Sequence, residues 1–233
     1  MTDREPASAV YRLAVWFSPA FPVGAYTYSS GLEYAVEAGL VGDRDALQDW
    51  IATLLRVGQG RLDADLFRDA YGAAAAETLD DLGPVVELAD AMRGTSELAL
   101  ESAAQGAAFL TAVRAAWPHE RLEAFADLLA QLDRKPAYSV AVGVTAAVHG
   151  VALRDALVAY LHATAANLVS AGVRLVPLGQ TDGQRATAGL EPVVLSAADA
   201  ALRRSPDDLG AATPMIDWTS MQHETQYTRL FRS

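Results

Sequence analysis

Two pairs of side chains in this sequence have types and spacing that could do chemistry. His223-Glu224 opens like His-Glu-x-x-His, the helical pattern that sets two zinc ligands on one face with a general base between them. Its second ligand would fall on Tyr227, so the zinc motif is not completed. A helical metal-dependent hydrolase working through His223 and Glu224 is the enzymatic reading this leaves. Asp63 and Asp65 look like a carboxylate pair, and equally like acids placed near a helix N-terminus to complement its dipole. Four histidines lie scattered without ligand spacing, which argues against a dedicated metal enzyme. Cysteine is absent, which excludes a disulfide framework, a thiolate metal site and a thiol nucleophile. No catalytic set assembles from spacing alone.

The ending, Met221 to Ser233, is the other unusual stretch. It places Tyr227, Arg229, Leu230, Phe231 and Arg232 within six residues, where chain ends are ordinarily polar and indifferent to sequence. Aromatic residues and Arg are enriched at the buried centres of protein interfaces. Such a tail packs back on its own domain, docks on a partner, or stays disordered, and the charges alone do not separate the first two.

Composition decides what must position these residues. Of the 233 residues, 52% are hydrophobic and about a fifth are Ala, the strongest helix former. Val and Ile nowhere alternate with polar residues over a strand length. The expectation is an all-α, single-domain bundle of about nine to ten helices over 1–233, with 214–233 as its C-terminal segment, which becomes a docking segment only through the resemblance given below. The net charge is −11, with a single lysine, Lys135, and no basic run, which argues against nucleic acid and anionic lipid as partners. The start lacks a secretory signal, and no stretch of about 18 charge-free apolar residues offers a membrane span. A cytoplasmic protein without a bound cofactor is expected.

Apolar spacing locates the helices. Leu47, Trp50, Ile51, Leu54 and Leu55 follow the i, i+3, i+4, i+7 rule behind Asp43 as N-cap. Ser30-Gly31-Leu32-Glu33 reads as a capping box, Ser30 at the N-cap and Glu33 at N3. Tyr138 to His149 is nearly all apolar or small, a central buried helix with Gly150 as its C′ residue and His149 where the dipole favours a cation. A region from Leu82 to Trp117 is helical with a break expected at Gly94-Thr95. Arg93, Glu97, Glu101 and Gln105, spaced by four, form a stripe along it that is either solvated or turned to a partner. On another side Ala103, Gly106, Leu110, Val113 and Trp117 suit the close approach of a second helix. A helix is expected from Pro192 to Arg204.

Two loops stand apart. The proline- and glycine-broken path from Ser18 to Tyr28 carries Phe21, Tyr26 and Tyr28, and is either an inward-packed connection or an interaction surface. Val176 to Arg185 concentrates Gln180, Gln184 and Arg185 at a helix start that Thr181 or Asp182 can cap. It lacks the glycine-lysine run of a phosphate loop.

Three segments carry a resemblance. Ser18-Pro19-x-x-Pro22-x-Gly24, continuing through Tyr28-Ser29 to Gly31-Leu32-Glu33, resembles the N-terminal signature of the urease accessory protein UreF family. Pro177-Leu178-Gly179-Gln180-Thr181-x-x-Gln184 is similar to its central signature. His223-Glu224-Thr225-Gln226-Tyr227-x-Arg229-Leu230-Phe231-Arg232-Ser233 is similar to its C-terminus. They stand in the family's order across essentially the whole chain. Ala99, where a basic residue would be expected, and Thr27, where Ser is commoner, are departures. The resemblance implies an all-α homodimer without catalysis of its own. It implies a urease maturation chaperone that bridges the scaffold UreD (also called UreH) and the GTPase UreG. Nickel then enters apo-urease with GTP hydrolysis. The partner-binding residues it suggests are His223, Glu224, Tyr227, Arg229, Leu230, Phe231, Arg232 and Ser233, with Gln180, Gln184, Arg185, Tyr26 and Tyr28 in support. Modulation of hydrolysis is expected through ordering of the GTPase's switch loops rather than an arginine finger, since no Arg lies in a loop suited to insertion.

Overall fold

The computed structural model describes residues 4–76 and 78–233, with side chains from residue 7 onward. Among the described residues there are eleven α-helices, two short 3-10 turns and no strand, so the all-α expectation holds. The helices are α1 (Arg4–Trp16), α2 (Leu32–Glu37), α3 (Arg44–Val57), α4 (Gln59–Ala75), α5 (Leu82–Ala91) and α6 (Ser96–Ala116). They continue as α7 (Glu120–Gln131), α8 (Tyr138–Val148), α9 (Leu153–Leu175), α10 (Gln180–Arg203) and α11 (Pro214–His223). The 82–117 region does divide near Gly94. The segment from 180 to 203 is one helix rather than a turn and a separate helix at Pro192. A proline inside a helix frees the carbonyl four residues earlier; here that residue is Ala188, which is exposed, so water can satisfy it.

The chain forms two compact units. The first comprises Met1–Val23, Leu66–Met92 and Ser102–Tyr160; the second comprises Gly24–Asp65, Arg93–Glu101 and Leu161–Ser233.

In the first unit α8 is the centre, buried from Ser139 through Ala146. Gly143 lets α8 lie against α4, because a Cβ there would stand 2.6 Å from the Phe67 carbonyl oxygen. The small-residue row of α6 admits the chain at Pro136-Ala137, just ahead of α8, rather than a second helix: a Cβ on Gly106 would meet the Pro136 carbonyl oxygen at 2.1 Å. Trp16 packs edge-on against Phe109 and Trp117 and lies beside His149. The dipole reading of His149 needs correction. Burial, then the charges of Arg12 and His119, depress its pKa to about 4, against a hydrogen bond with the Trp117 backbone, so it is neutral near pH 7. The Arg12 guanidinium instead donates to the His149 carbonyl oxygen at 2.8 Å, supplying the positive charge at that helix end.

In the second unit α3 packs on α10 and α2 on α11. Asp43 accepts from Ala46 N–H at 2.8 Å, the N-cap expected of it. Asp63 and Asp65 do not serve the dipole of α4, since that helix begins at Gln59. Asp63 pairs with Arg93 at 2.9 Å and Asp65 with Arg204 at 2.5 Å. One helix, α9, is long and apolar enough to pass as a membrane span by length and composition, and half of its apolar window is buried inside the structure.

Candidate docking site at the C-terminal tail

Four parts of the second unit converge on residues 223–233: α2, the first turns of α6, α9 through Arg174, and the irregular path from Tyr26 to Ser30. The turn ahead of α2 sets the geometry. Ser30 and Gly31 both take left-handed backbone conformations, φ 52° and 80°. Only glycine fits at 31, where a Cβ would lie 2.7 Å from the Ser220 backbone nitrogen on α11. This overturns the capping box: Gly31 is the N-cap, and it is Ser29 Oγ that accepts from Glu33 N–H at 3.3 Å. The Glu33 carboxylate, freed from the helix start, turns to the tail instead.

There it receives the main chain of the ending. Leu230 N–H donates to Glu33 Oε1 at 2.6 Å and Phe231 N–H to Oε2 at 2.9 Å. His223 is fully buried between two carboxylates, its Nε2 3.0 Å from Glu33 Oε2 and its Nδ1 2.7 Å from Glu97 Oε2. Arg229 donates to the other oxygen of Glu97, Oε1, so that carboxylate has a fixed cation against it. Arg229 also donates to the His223 carbonyl oxygen at 3.1 Å, folding the tail back over the end of α11. Buried charges persist only when paired and hydrogen-bonded in this way.

The last residues are held along the loop. Arg232 N–H donates to the Thr27 carbonyl oxygen at 2.7 Å, and Ser29 N–H and Oγ–H donate to the Ser233 main-chain oxygen at 2.7 and 2.5 Å. Ser233 Oγ donates to Glu101 at 2.7 Å, and Ser30 Oγ approaches the same carboxylate at 3.3 Å. Phe231 is buried to 4% exposure beneath the Arg174 guanidinium, 4.3 Å from the ring centroid. Arg174 also donates to the Tyr26 carbonyl oxygen at 3.0 Å, and Asn167 to that of Tyr28 at 3.1 Å. Burial pushes the Glu101 carboxyl up to about 7. The Ser233 and Ser30 hydroxyls pull the other way; Asp63 adds a smaller rise and Arg93 a smaller reduction.

The stripe of Arg93, Glu97, Glu101 and Gln105 is therefore neither solvated nor an open polar face. Glu97 and Gln105 are buried, and Arg93 is tied to Asp63. Glu97 and Glu101 form the receptor for the tail. Glu33, Glu97, Glu101, Ser29, Asn167 and Arg174 are the functional residues that local reading did not assign to the tail. The one trace of them in sequence is charge: two carboxylates four apart on an Ala-rich helix, and an ending with two arginines.

The structure separates the suggested partner-binding residues into two sets. His223, Phe231, Ser233 and Tyr28 are buried and hold the tail from within. Tyr227, Leu230, Arg232, Glu224 and Tyr26 are exposed, and Arg229 is exposed in part while ion-paired. Glu224 is exposed and accepts from Ser96 at 2.5 Å, while the buried imidazole of His223 has Glu33 and Glu97 as its partners, so the two are not paired as a hydrolase would require. Gln180, Gln184 and Arg185 are all exposed on the first turns of α10. The cap expected there from Thr181 or Asp182 is not made. Gly179 is the N-cap without a side-chain bond, and Asp182 pairs with Arg185 at 3.1 Å.

Comparison with known proteins shows the family. The UreF family model matches residues 41–191. A urease accessory protein UreF of Rhodopseudomonas palustris strain BisB5 is 52% identical over 98% of this chain and 93% of its own. That of Granulibacter bethesdensis is 51% identical over 97% of this chain and 94% of its own. That of Bradyrhizobium diazoefficiens is 49% identical over 100% and 99%. Identity at this level across nearly the full length of each relative extends through both units and the tail, and the chain belongs to the UreF family of urease accessory proteins.

Proposed function

We propose that the protein works in urease maturation by being bound rather than by catalysing. It bridges a UreD/UreH scaffold and the GTPase UreG so that nickel, as cargo, enters apo-urease with GTP hydrolysis. It acts in the cytoplasm as a homodimer. The observation that carries this reading is the form of the tail. Its main chain is clamped by Glu33 and the Thr27 carbonyl, and its Arg229 and Ser233 side chains by Glu97 and Glu101, while Tyr227, Leu230 and Arg232 stand in solvent. An ending whose main chain is already hydrogen-bonded has less backbone entropy to lose on docking, leaving mainly the ordering of its exposed side chains, about 0.5–1.5 kcal/mol each. Aromatic and Arg anchors of this kind dominate interface energies.

The tail is the surface offered to the scaffold, supported by Tyr26 and by the α10 start at Gln180, Gln184 and Arg185. The same body engages the GTPase by ordering its switch loops. Arg229 and Arg204 are committed to carboxylates, which is consistent with that choice over an inserted arginine finger. Pull-down of the scaffold by the combined variant Tyr227→Ala, Leu230→Asp and Arg232→Glu tests the reading. Capture is expected to fall at least tenfold with helical content unchanged, a loss of about 1.4 kcal/mol or more. Undiminished capture by a folded variant would count against it. For the finger question, Arg185→Ala and Arg232→Ala should each retain stimulated hydrolysis in any complex that still forms. A thousandfold loss with the complex intact would favour the finger.

A further inference from the structure

Polarity runs the wrong way round on α11. A surface helix ordinarily turns its apolar stripe to the core and its polar residues to water. Here Ile216 is the apolar member of a buried face otherwise made of Thr219, Ser220 and His223. Those three are held by hydrogen bonds: Thr219 Oγ1 donates to the Ile216 carbonyl oxygen at 2.8 Å, the Ser220 and Thr95 hydroxyls meet at 2.8 Å, and His223 lies between Glu33 and Glu97. The outward face carries Met215, Trp218 and Met221, each between 42% and 52% exposed. Steps of three keep them within about a third of the helix circumference. Trp218 stands edge-on to Tyr34 of α2, with ring centroids 5.4 Å apart.

The start of α11 also walls an open cavity of about 450 Å³. Pro214 and Met215 form one side, Asp49, Trp50 and Thr53 of α3 the other, and Leu40, itself exposed, closes the end. Its lining does not include Tyr227, Leu230 or Arg232. Exposed apolar surface grouped in this way marks an interaction site, and Met and Trp are types enriched there. Thioether side chains also adapt their shape to an incoming surface.

Charge says what kind of partner fits. Asp49 is exposed at the cavity, Asp45 is exposed one turn earlier on α3, and Glu37 is exposed at the end of α2. The cations on α3 are Arg44, bonded to Asp45 at 2.7 Å, and Arg56 in the last turn. A second copy of this chain would bring the same net charge of −11 and the same acids to the face. A basic partner is favoured over self-association. Two helices bound the groove, and such grooves receive the apolar side of an amphipathic helix.

We propose that the outer face of α11, with the cavity it makes against α3, is a docking groove for a basic amphipathic helix of a partner protein. The partner's apolar side seats between Leu40 and Met215 and spreads over Trp218 and Met221, while its cations meet Asp45 and Asp49. This surface is additional to the outward side chains of the tail, and the inference stands whether or not the tail docks on the scaffold.

The probe is a labelled synthetic helix with leucine on one face and arginine on the other, titrated into the full chain by fluorescence anisotropy. A counterpart with glutamate in place of arginine is the comparison. The arginine helix should bind at least about tenfold more tightly than the glutamate helix, and more weakly as salt is raised. Met215→Glu is the discriminating variant. It should weaken binding at least about tenfold with helical content retained, whereas diffuse attraction to an acidic surface would be strengthened by the added charge. Asp49→Asn should weaken binding about threefold, and Gln184→Glu on α10 should leave it unchanged. Bound peptide should also protect Met215 and Met221 from oxidation by hydrogen peroxide, which both should undergo in the free chain. Absence of binding, equal affinity for the two helices, or undiminished binding by Met215→Glu would each overturn the proposal. So would protection of both methionines in the free chain that rises with its concentration, which would assign the face to a second copy, or binding to phosphatidylcholine vesicles in preference to the arginine helix, which would assign it to a lipid surface.

Discussion

Replacing Glu33 by Ala removes the carboxylate on which three tail interactions meet: the amides of Leu230 and Phe231 and the Nε2 of His223. Glu33 is 7% exposed, so water screens it little. A hydrogen bond to a charged group contributes about 1.5–3 kcal/mol. Three of them on one carboxylate are not additive, and the governing figure is the cost of removing one partner from a buried hydrogen-bonded ionic cluster, about 3–5 kcal/mol. His223 Nε2 and the two tail amides would be left without their acceptor. At roughly 2–4 °C per kcal/mol for a chain of this size, the melting temperature should fall by about 6–20 °C. The assay is thermal and denaturant unfolding followed by circular dichroism, with hydrogen exchange across 229–233. Two further reporters sharpen it. Glu33→Gln, retaining an acceptor oxygen but no charge, should lose less than Glu33→Ala; tail amides should lose protection in both before the α3 and α10 amides do. A destabilisation below about 1 kcal/mol with the tail still protected would refute the reasoning, since it would mean that the cluster is scarcely better than solvation.

Other perturbations give distinct signatures. Phe231→Ala should cost about 3 kcal/mol in denaturant unfolding, because it empties a buried site and removes the ring beneath Arg174. Gly31→Ala meets both a φ of 80° and the Ser220 backbone nitrogen at 2.7 Å, so it should cost at least about 2 kcal/mol in the same assay. His149 is held neutral in the first unit with its pKa near 4. Its contribution is present above the ordinary 6.5 and is lost as pH falls through 4, about 1–2 kcal/mol after discounting for partial exposure. His149→Gln should flatten that acid limb in urea unfolding measured across the interval.

The helical architecture was legible because its causes are local. The stripe of Leu47, Ile51, Leu54 and Leu55 is buried on α3 behind its Asp43 cap, and α8 is buried across the apolar run that follows Tyr138. Where expectation and structure diverge, a contact distant in sequence overrides a local rule. Glu33 left its capping box for amides nearly two hundred residues away, and Asp65 left the dipole of α4 for Arg204. The four-spaced acids of α6 look the same to a periodicity argument whether they face water or Arg229 and Ser233. The boundary at Pro192 vanished because Ala188 lies at the surface, which no window of sequence reveals.

That the tail is a handle held from inside is most directly tested by scaffold capture with two variants of opposite design. Tyr227→Ala/Leu230→Asp/Arg232→Glu alters only outward side chains, and should lose the scaffold while residues 230–232 stay protected from exchange. Glu33→Ala alters only the inner clamp, and should lose both protection and capture. Full scaffold capture by the first variant, or by an unclamped tail, would contradict the account.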